Sequence, residues 1–213
     1  MDFEDFSLQV PKIKNLPLPG TASHYKMAPE IRIKELKKGL LNGREPYKAG
    51  VMALFYPDAL SKTHLILILR NTYPGVHSNQ IGFPGGKQES EDRDLLETAL
   101  RETHEEIGVP PSMVQVIRPI TEVYIPPSNF QVQPFVGIYH KKVPFVPEQS
   151  EVAALVEVSL DDFMDDNKLI TQNLSTSYAK NIAVPAFEFN GYTVWGATAM
   201  MLSEIKELFR QVL

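Results

Sequence analysis

No cysteine occurs in the 213 residues, which excludes a disulfide scaffold, cysteine-ligated zinc, an iron–sulfur cluster and thiol catalysis. Any metal must therefore be held by oxygen or by one of five histidines. Long apolar runs are missing as well: nothing approaches the ~18 consecutive apolar residues of a membrane span. The N-terminal MDFEDFSLQV carries acids where a secretory signal needs bases. These absences lead us to expect a soluble, cytoplasmic protein with no membrane partner. Basic charge is in deficit, 21 Lys and Arg against 26 Asp and Glu, for a net charge of −5. That balance argues against broad binding to nucleic acid, which needs a basic face to displace counterions. A small anionic substrate would need a locally basic pocket or a bridging cation. The 17 prolines outnumber the 12 glycines but are scattered, implying fixed turns and no low-complexity linker.

What is present is the pattern of one α/β domain. Residues 1 to about 25 show no sustained period and contain Pro11, Pro17, Pro19 and Gly20, so they read as an arm laid on the body. Pro29, then Ile33, Leu36 and Leu40 at helical spacing with Gly43 as a stop, predict an amphipathic helix of about three turns. Val51–Tyr56 and Leu65–Leu69 are short apolar runs and read as buried, neighbouring strands. A loop with Pro74, Gly75, Pro84, Gly85 and Gly86 leads into a helix from about Asp92 to Ile107, ended by Gly108. Further strands are expected at Val114–Ile117, Glu122–Ile125, Val132–Tyr139, Ala153–Val158, Ile182–Phe189 and Tyr192–Trp195. Met201, Ile205, Leu208 and Val212 predict a closing amphipathic helix. Helices before, within and after the strands suggest a sheet between helical layers.

The chemistry concentrates on the central helix. Glu102 and Glu106 lie four apart on one face and Glu105 flanks it, a crowding that costs a bare helix a few tenths of a kcal/mol per pair. A solvated acidic face is the ordinary use of such a run. Here, however, Leu96, Ala99, Leu100, Thr103 and Ile107 put a buried stripe on the same helix, directly after a glycine-rich loop. Oxygen ligands clustered in this way suit Mg²⁺ or Mn²⁺.

The segment Gly86 to Val109, GKQESEDRDLLETALRETHEEIGV, resembles the signature of the Nudix hydrolases: Gly, five residues, Glu, seven residues, Arg-Glu-apolar-any-Glu-Glu-any-Gly-apolar. Its second half matches with Thr103 at the apolar position. Its first half departs: Asp92 stands where Glu is expected, and eight residues rather than seven separate it from Arg101. That insertion is similar to the coenzyme A diphosphatase branch of the family. Arg70, His77 to Gly86 with its Phe83-Pro84-Gly85-Gly86 ending, Pro126 to Phe130 and Trp195 to Ala199 also resemble that branch, with Gly75 and Asn79 where its motif has Arg and Gly.

The resemblance implies a Nudix-type α/β/α sandwich with a mixed central sheet, residues 46–213 forming the hydrolase domain and 1–45 an N-terminal arm and helix packed on it. It implies Mg²⁺ or Mn²⁺ held by Glu102, Glu105 and Glu106 with the Gly86 carbonyl, and Arg101 orienting a carboxylate. The general base would be Glu102, or a later-loop acid, for which Glu151 and then Glu148 are the candidates. Arg70, His77 and Lys87 are the candidates for contacting phosphate, although each is also an ordinary structural or solvated residue type at such a place. Phe130 and Tyr124 could stack on a base; core packing is the plainer account of both, as it is of Trp195 and the Met200-Met201 pair. His104 should face away from Glu102. The implied activity is hydrolysis of coenzyme A or acyl-coenzyme A to a phosphopantetheine and adenosine 3′,5′-bisphosphate. Alternatives are the same chemistry on ADP-ribose or another nucleoside diphosphate derivative, or a silent nucleotide-sensing domain. The expected partner is a small nucleoside diphosphate substrate, with a homodimer left open.

Overall fold

Two apolar strands run through the centre because both of their faces are covered. β1 (Tyr47–Pro57) pairs antiparallel with β2 (Thr63–Arg70), Leu54 opposite Ile66. Ala53, Phe55, Leu65 and Leu67 face one buried cluster, whereas Met52, Leu54, Tyr56, Ile66 and Ile68 face another. A strand buried on both faces loses the apolar–polar alternation and becomes a continuous run, which is why these two were legible. The structure is a computed structural model that describes residues 1–37, 45–71, 80–141, 144–174 and 181–213.

β7 (Phe130–Tyr139) lies parallel to β1 from Tyr47/Phe130 to Phe55/Ile138, and β5 (Val114–Pro119) and β6 (Val123–Ile125) pair antiparallel with β7. β8 (Val152–Ser159) covers the other edge of β2. Beyond Leu54 and Ile66, towards the start of β1 and the end of β2, different partners take over: β3 (Ile81–Gly82) pairs with Ile68 and Leu69 of β2, while β4 (Gly85–Lys87) pairs with Ala49 to Val51 of β1. Gly85 and Gly86 are thereby delivered into the middle of a mixed sheet. A second, three-stranded antiparallel sheet joins β9 (Leu169–Leu174), β10 (Ile182–Phe189) and β11 (Tyr192–Trp195).

Helices flank the mixed sheet on both sides. α4 (Leu95–Ile107) packs on β1, its start capped by the Asp94 carboxylate accepting from the Glu97 amide at 2.9 Å. The contact is close: a Cβ on Gly50 would run into the Leu95 carbonyl oxygen. α6 (Gly196–Phe209) sits in the opposite cluster and begins five residues before the predicted Met201. The α/β arrangement with a mixed sheet between helices matches the expectation from sequence.

The N-terminal arm is more regular than its sequence suggested. It holds α1 (Phe3–Gln9), a 3-10 turn from Val10 to Asn15, α2 (Thr21–Lys26) and α3 (Glu30–Lys37). Phe3, Phe6, Val10 and Ile13 are buried, with the Phe6 ring 5.2 Å from Phe55 and 5.5 Å from Phe209. Elements this short contain too few turns to show a period. α3 begins as Pro29 predicted, but Leu40 and Gly43 lie outside the described residues. α5 (Leu160–Met164) and β9 were also unanticipated from sequence. Among the described residues no helix is long and apolar enough to cross a membrane.

Candidate active site

β4 and the second half of α4 face each other across a gap that only glycine permits. A Cβ on Gly86 would come within 2.5 Å of the Glu102 carboxylate. Glu106, fully buried one turn on, accepts from the Gly85 amide at 2.8 Å and from Arg70 Nη1 at 2.7 Å. Arg70 also donates through Nη2 to the Gly85 carbonyl at 2.6 Å. Arg70 therefore ties the end of β2 to the loop and to α4, and its guanidinium is committed to protein groups while its side chain borders the adjoining cavity.

Arg101, a candidate for orienting a carboxylate, makes a forked contact with Asp92, Nε to Oδ1 and Nη2 to Oδ2, both at 3.0 Å. Asp92 thus takes the arginine despite the extra residue between them. The fork, helped by the Glu89 amide and the Thr98 hydroxyl, holds the Asp92 carboxyl down at about 2. Arg101 Nη1 reaches Glu102 at 3.0 Å and Glu105 at 2.8 Å, and Nη2 donates to the Lys87 carbonyl at 3.2 Å. Thr103, at the apolar position, is buried and returns its hydroxyl to the Ala99 carbonyl at 2.6 Å, so its own helix absorbs the polar group.

Three carboxylates converge: Glu102, Glu106 and Glu151 each offer an oxygen within 4.8 Å of the others. Burial pushes the Glu106 carboxyl up to about 7, the nearby Arg70 only partly opposing it, and burial likewise raises Glu102. Two acids held above their ordinary range beside a third, with oxygen as the sole donor type among the described residues, fit a hard divalent cation and poorly fit a soft one. Glu105 stands outside this trio, more than half exposed and paired with Arg101. Glu151 comes from a distant stretch of chain, the later-loop acid anticipated in sequence: the turn before β8 is fastened by Asn71, whose backbone amide donates to the Glu151 carbonyl at 2.8 Å. Glu148 is turned to Ser150, whose amide and hydroxyl hold its carboxyl below the ordinary range. Lys87 is exposed with its ammonium 4.7 Å from the Tyr47 ring centre. His104 is exposed, on the side of α4 away from the trio. His77, Gly75 and Asn79 lie outside the described residues.

Beside Gly85 and Gly86 opens a cavity of about 320 Å³. Its walls come from well-separated stretches of chain: Phe83 of the loop, Pro127 and Phe130, and the Trp195 to Thr198 turn into α6. The Thr198 hydroxyl donating to the Ile81 carbonyl at 3.1 Å fastens that turn to β3. Trp195 and Phe130 are thus cavity walls rather than pure core, Met200 and Met201 are both buried and at the wall, and Tyr124 is hydrogen-bonded to Asn129 at 2.9 Å. Met27, Ala28, Pro29 and Arg32 of the arm complete the enclosure. Sequence reasoning missed this last contribution, since nothing in the arm's composition signals a binding wall.

A carboxylate trio beside a glycine loop and an enclosed pocket is the layout of a hydrolase that handles a charged substrate through a cation, and comparison with known proteins agrees. The NUDIX domain family model matches residues 46–175. The chain belongs to the Nudix family. Nudix hydrolase NudL of Pectobacterium atrosepticum is 33% identical over 144 residues, covering 66% of this chain and 72% of that protein. Nudix hydrolase 22 (chloroplastic) of Arabidopsis thaliana is 31% identical over 163 residues, 74% of this chain, which spans about half (53%) of that relative's length. Among solved structures, a Nudix hydrolase of M. smegmatis, RenU, shares the fold with a TM-score of 0.54 at 16% identity, covering 79% of this chain and 88% of that one. The protein is accordingly a Nudix hydrolase, an enzyme acting on phosphorus-containing anhydrides, and members of this family generally use divalent metal ions.

Proposed function

We propose that the protein hydrolyses the diphosphate bond of coenzyme A or an acyl-coenzyme A, releasing a phosphopantetheine and adenosine 3′,5′-bisphosphate. The observation that carries this reading is a convergence: the three stretches that resemble the coenzyme A diphosphatase branch, far apart in sequence, line one cavity. Phe83 to Gly86, Pro127 with Phe130, and Trp195 to Thr198 all meet there. Glu102, Glu106 and Glu151 would hold Mg²⁺ or Mn²⁺, which would neutralise diphosphate charge and acidify a bound water. Glu151, the exposed member of the trio, would take the proton of the attacking water, with Glu102 as the alternative base. Arg70 and the Gly85 amide keep Glu106 from swinging into the pocket. Glu105 steadies Arg101, which in turn orients Glu102. Lys87 at the rim supplies positive charge to an arriving phosphate.

The test is turnover of coenzyme A, acetyl-coenzyme A, ADP-ribose and NADH with Mg²⁺ and then Mn²⁺, products separated by chromatography. Coenzyme A substrates should show the highest kcat/KM and yield adenosine 3′,5′-bisphosphate. A clear preference for ADP-ribose would replace this reading with the same chemistry on a nucleoside diphosphate sugar. Absence of turnover on every compound with either metal would favour a nucleotide sensor.

A further inference from the structure

The end of β2 reaches two of the three converging carboxylates through neighbouring residues. Arg70 donates to the Glu106 carboxylate, and the next residue, Asn71, grips the turn that carries Glu151 at two points. Its backbone amide donates to the Glu151 carbonyl at 2.8 Å, and its side-chain Nδ2 donates to the Gln149 carbonyl at 2.8 Å. On its other side the turn hangs from α4, with the Glu148 amide donating to the Glu106 carbonyl at 3.0 Å. Glu151 is thus strung between the strand that carries Arg70 and the helix that carries Glu102 and Glu106.

Strand pairing alone does not fix this turn. β8 and β2 keep a regular register as far as Leu69 opposite Ala154; Arg70 then lies opposite Val152, and Ala153 is left over. This bulge reverses the alternation along β8. Val156 and Val158 belong to the cluster that contains α6, whereas Val152, which a regular strand would put on their face, is buried in the cluster that contains α4. Glu151, the next residue back, is redirected with it. Its side chain is exposed, so packing does not hold it, and its aim depends on the backbone of the turn. The bond from Asn71 Nδ2 fixes that backbone two residues before Glu151 and belongs to no strand ladder.

We propose that Asn71 is a positioning residue for the reaction: its side-chain amide holds the 149–151 turn so that the Glu151 carboxylate stays beside those of Glu102 and Glu106. This rests on the reading that Glu151 is a member of the cation site. Asn71 is neutral and acts through the turn, so its effect is on geometry and not on the charge of the site. Partners that orient metal-site carboxylates are typically worth ~10–100-fold in metal affinity or activity.

The test uses the full-length protein and Mn²⁺ alone as the first probe, its affinity measured by calorimetry, with turnover of coenzyme A at saturating metal as the second. Asn71→Leu keeps the size of the side chain and removes the donor, and Asn71→Ala removes both. Each should weaken Mn²⁺ binding and lower kcat by ~10-fold with KM little changed. Glu151→Gln should lose at least as much in both readouts, and adding either Asn71 substitution to Glu151→Gln should cost little more, because the two residues act as one unit. Wild-type Mn²⁺ affinity in both Asn71 variants alongside a loss in Glu151→Gln would overturn the proposal and leave the carboxylate trio standing. Losses that add in full on the Glu151→Gln background, or a rise in KM at unchanged kcat, would also overturn it, placing Asn71 in general stability or in substrate contact. A Glu151→Gln protein that binds Mn²⁺ like the wild type would remove Glu151 from the cation site and the proposal with it. If coenzyme A is not hydrolysed, the substrate reading fails, and the Mn²⁺ titrations decide the role of Asn71 without it.

Discussion

The loop–helix unit from Ile81 to Ile107 and the arm from Phe3 to Lys37 contribute to the same cavity, yet they are built on opposite principles. The first is a dense polar lattice in which charges are paired closely: Asp92 to Arg101, Arg101 to Glu102 and Glu105, and Glu106 to Arg70 of β2. Its geometry follows from spacing along one helix and from glycines that let carboxylates approach the chain. The arm is held instead by a few inserted rings, Phe3 and Phe6, and by one buried carboxylate, Glu204, that belongs to the far end of the sequence. A local pattern specifies the catalytic end, and long-range contacts specify the enclosing wall. Damage to one should therefore remove chemistry, and damage to the other should remove fit.

The largest expected effect is at the catalytic end. Glu102→Gln or Glu106→Gln deletes a charge from the trio at constant size and should lower kcat by ~10²-fold or more, as loss of a metal-positioning group does. Circular dichroism and the melting curve should show a folded protein. Near wild-type turnover at saturating Mg²⁺ in either variant would remove that residue from the site.

Next comes the arm. Burial pushes the Glu204 carboxyl up, but hydrogen bonds from His24, Thr121 and Gly20 outweigh it and leave Glu204 ionised, below its ordinary range. Glu204→Ala strands these donors, at ~1–3 kcal/mol for a buried unpaired group, and for ~200 residues each kcal/mol lowers Tm by about 2–4 °C. A fall of at least several degrees is expected, with KM rising more than kcat falls. If kcat fell as far as in Glu106→Gln with KM unchanged, the division between chemistry and fit would be wrong.

The smallest effect is a pH-dependent metal response. Glu106 has its folded value raised to about 7 from an ordinary 4.5, so its contribution to stability is intact below 4.5 and is lost as pH rises through 7. A divalent cation binds the ionised form and offsets that loss. Millimolar Mg²⁺ should therefore raise Tm by a few degrees at pH 8 and by less at pH 5, and Glu106→Gln should flatten the difference. An equal shift at both pH values would detach the response from Glu106.

Much of the catalytic end was legible in sequence because helical spacing converts directly into geometry. Glu102 and Glu106 follow from a four-residue interval, and the partner of Arg101 needed only the Asp92 side chain to span one extra residue. Glu151 entered as a sequence candidate, but its meeting with the other two depends on β8 pairing with β2, a register that no local pattern fixes. The substrate wall was least legible. Trp195 and Phe130 look like core residues in sequence because a pocket wall and a core use the same side chains. Arg32 looks like any helix-surface arginine in sequence, yet it is buried and borders the cavity. The 3-10 turn and the short helices of the arm lack the length over which periodicity can be read.

The parallel pairing of β1 with β7 has a consequence for biosynthesis. β1 is complete at Pro57, whereas its parallel neighbour is complete only at Tyr139, roughly 80 residues later in the chain. At about 5–20 residues per second of synthesis, the nascent β1–β2 hairpin, complete at Arg70, waits ~3–14 s with one edge of β1 unpaired and its apolar faces bare. That interval is long against the microseconds in which hairpins form and stray strands can meet. The chain is thus most exposed to aggregation on the ribosome, before its catalytic helix has a complete sheet to rest on, and chaperone supply and translation speed should govern its yield more than the stability of the finished enzyme.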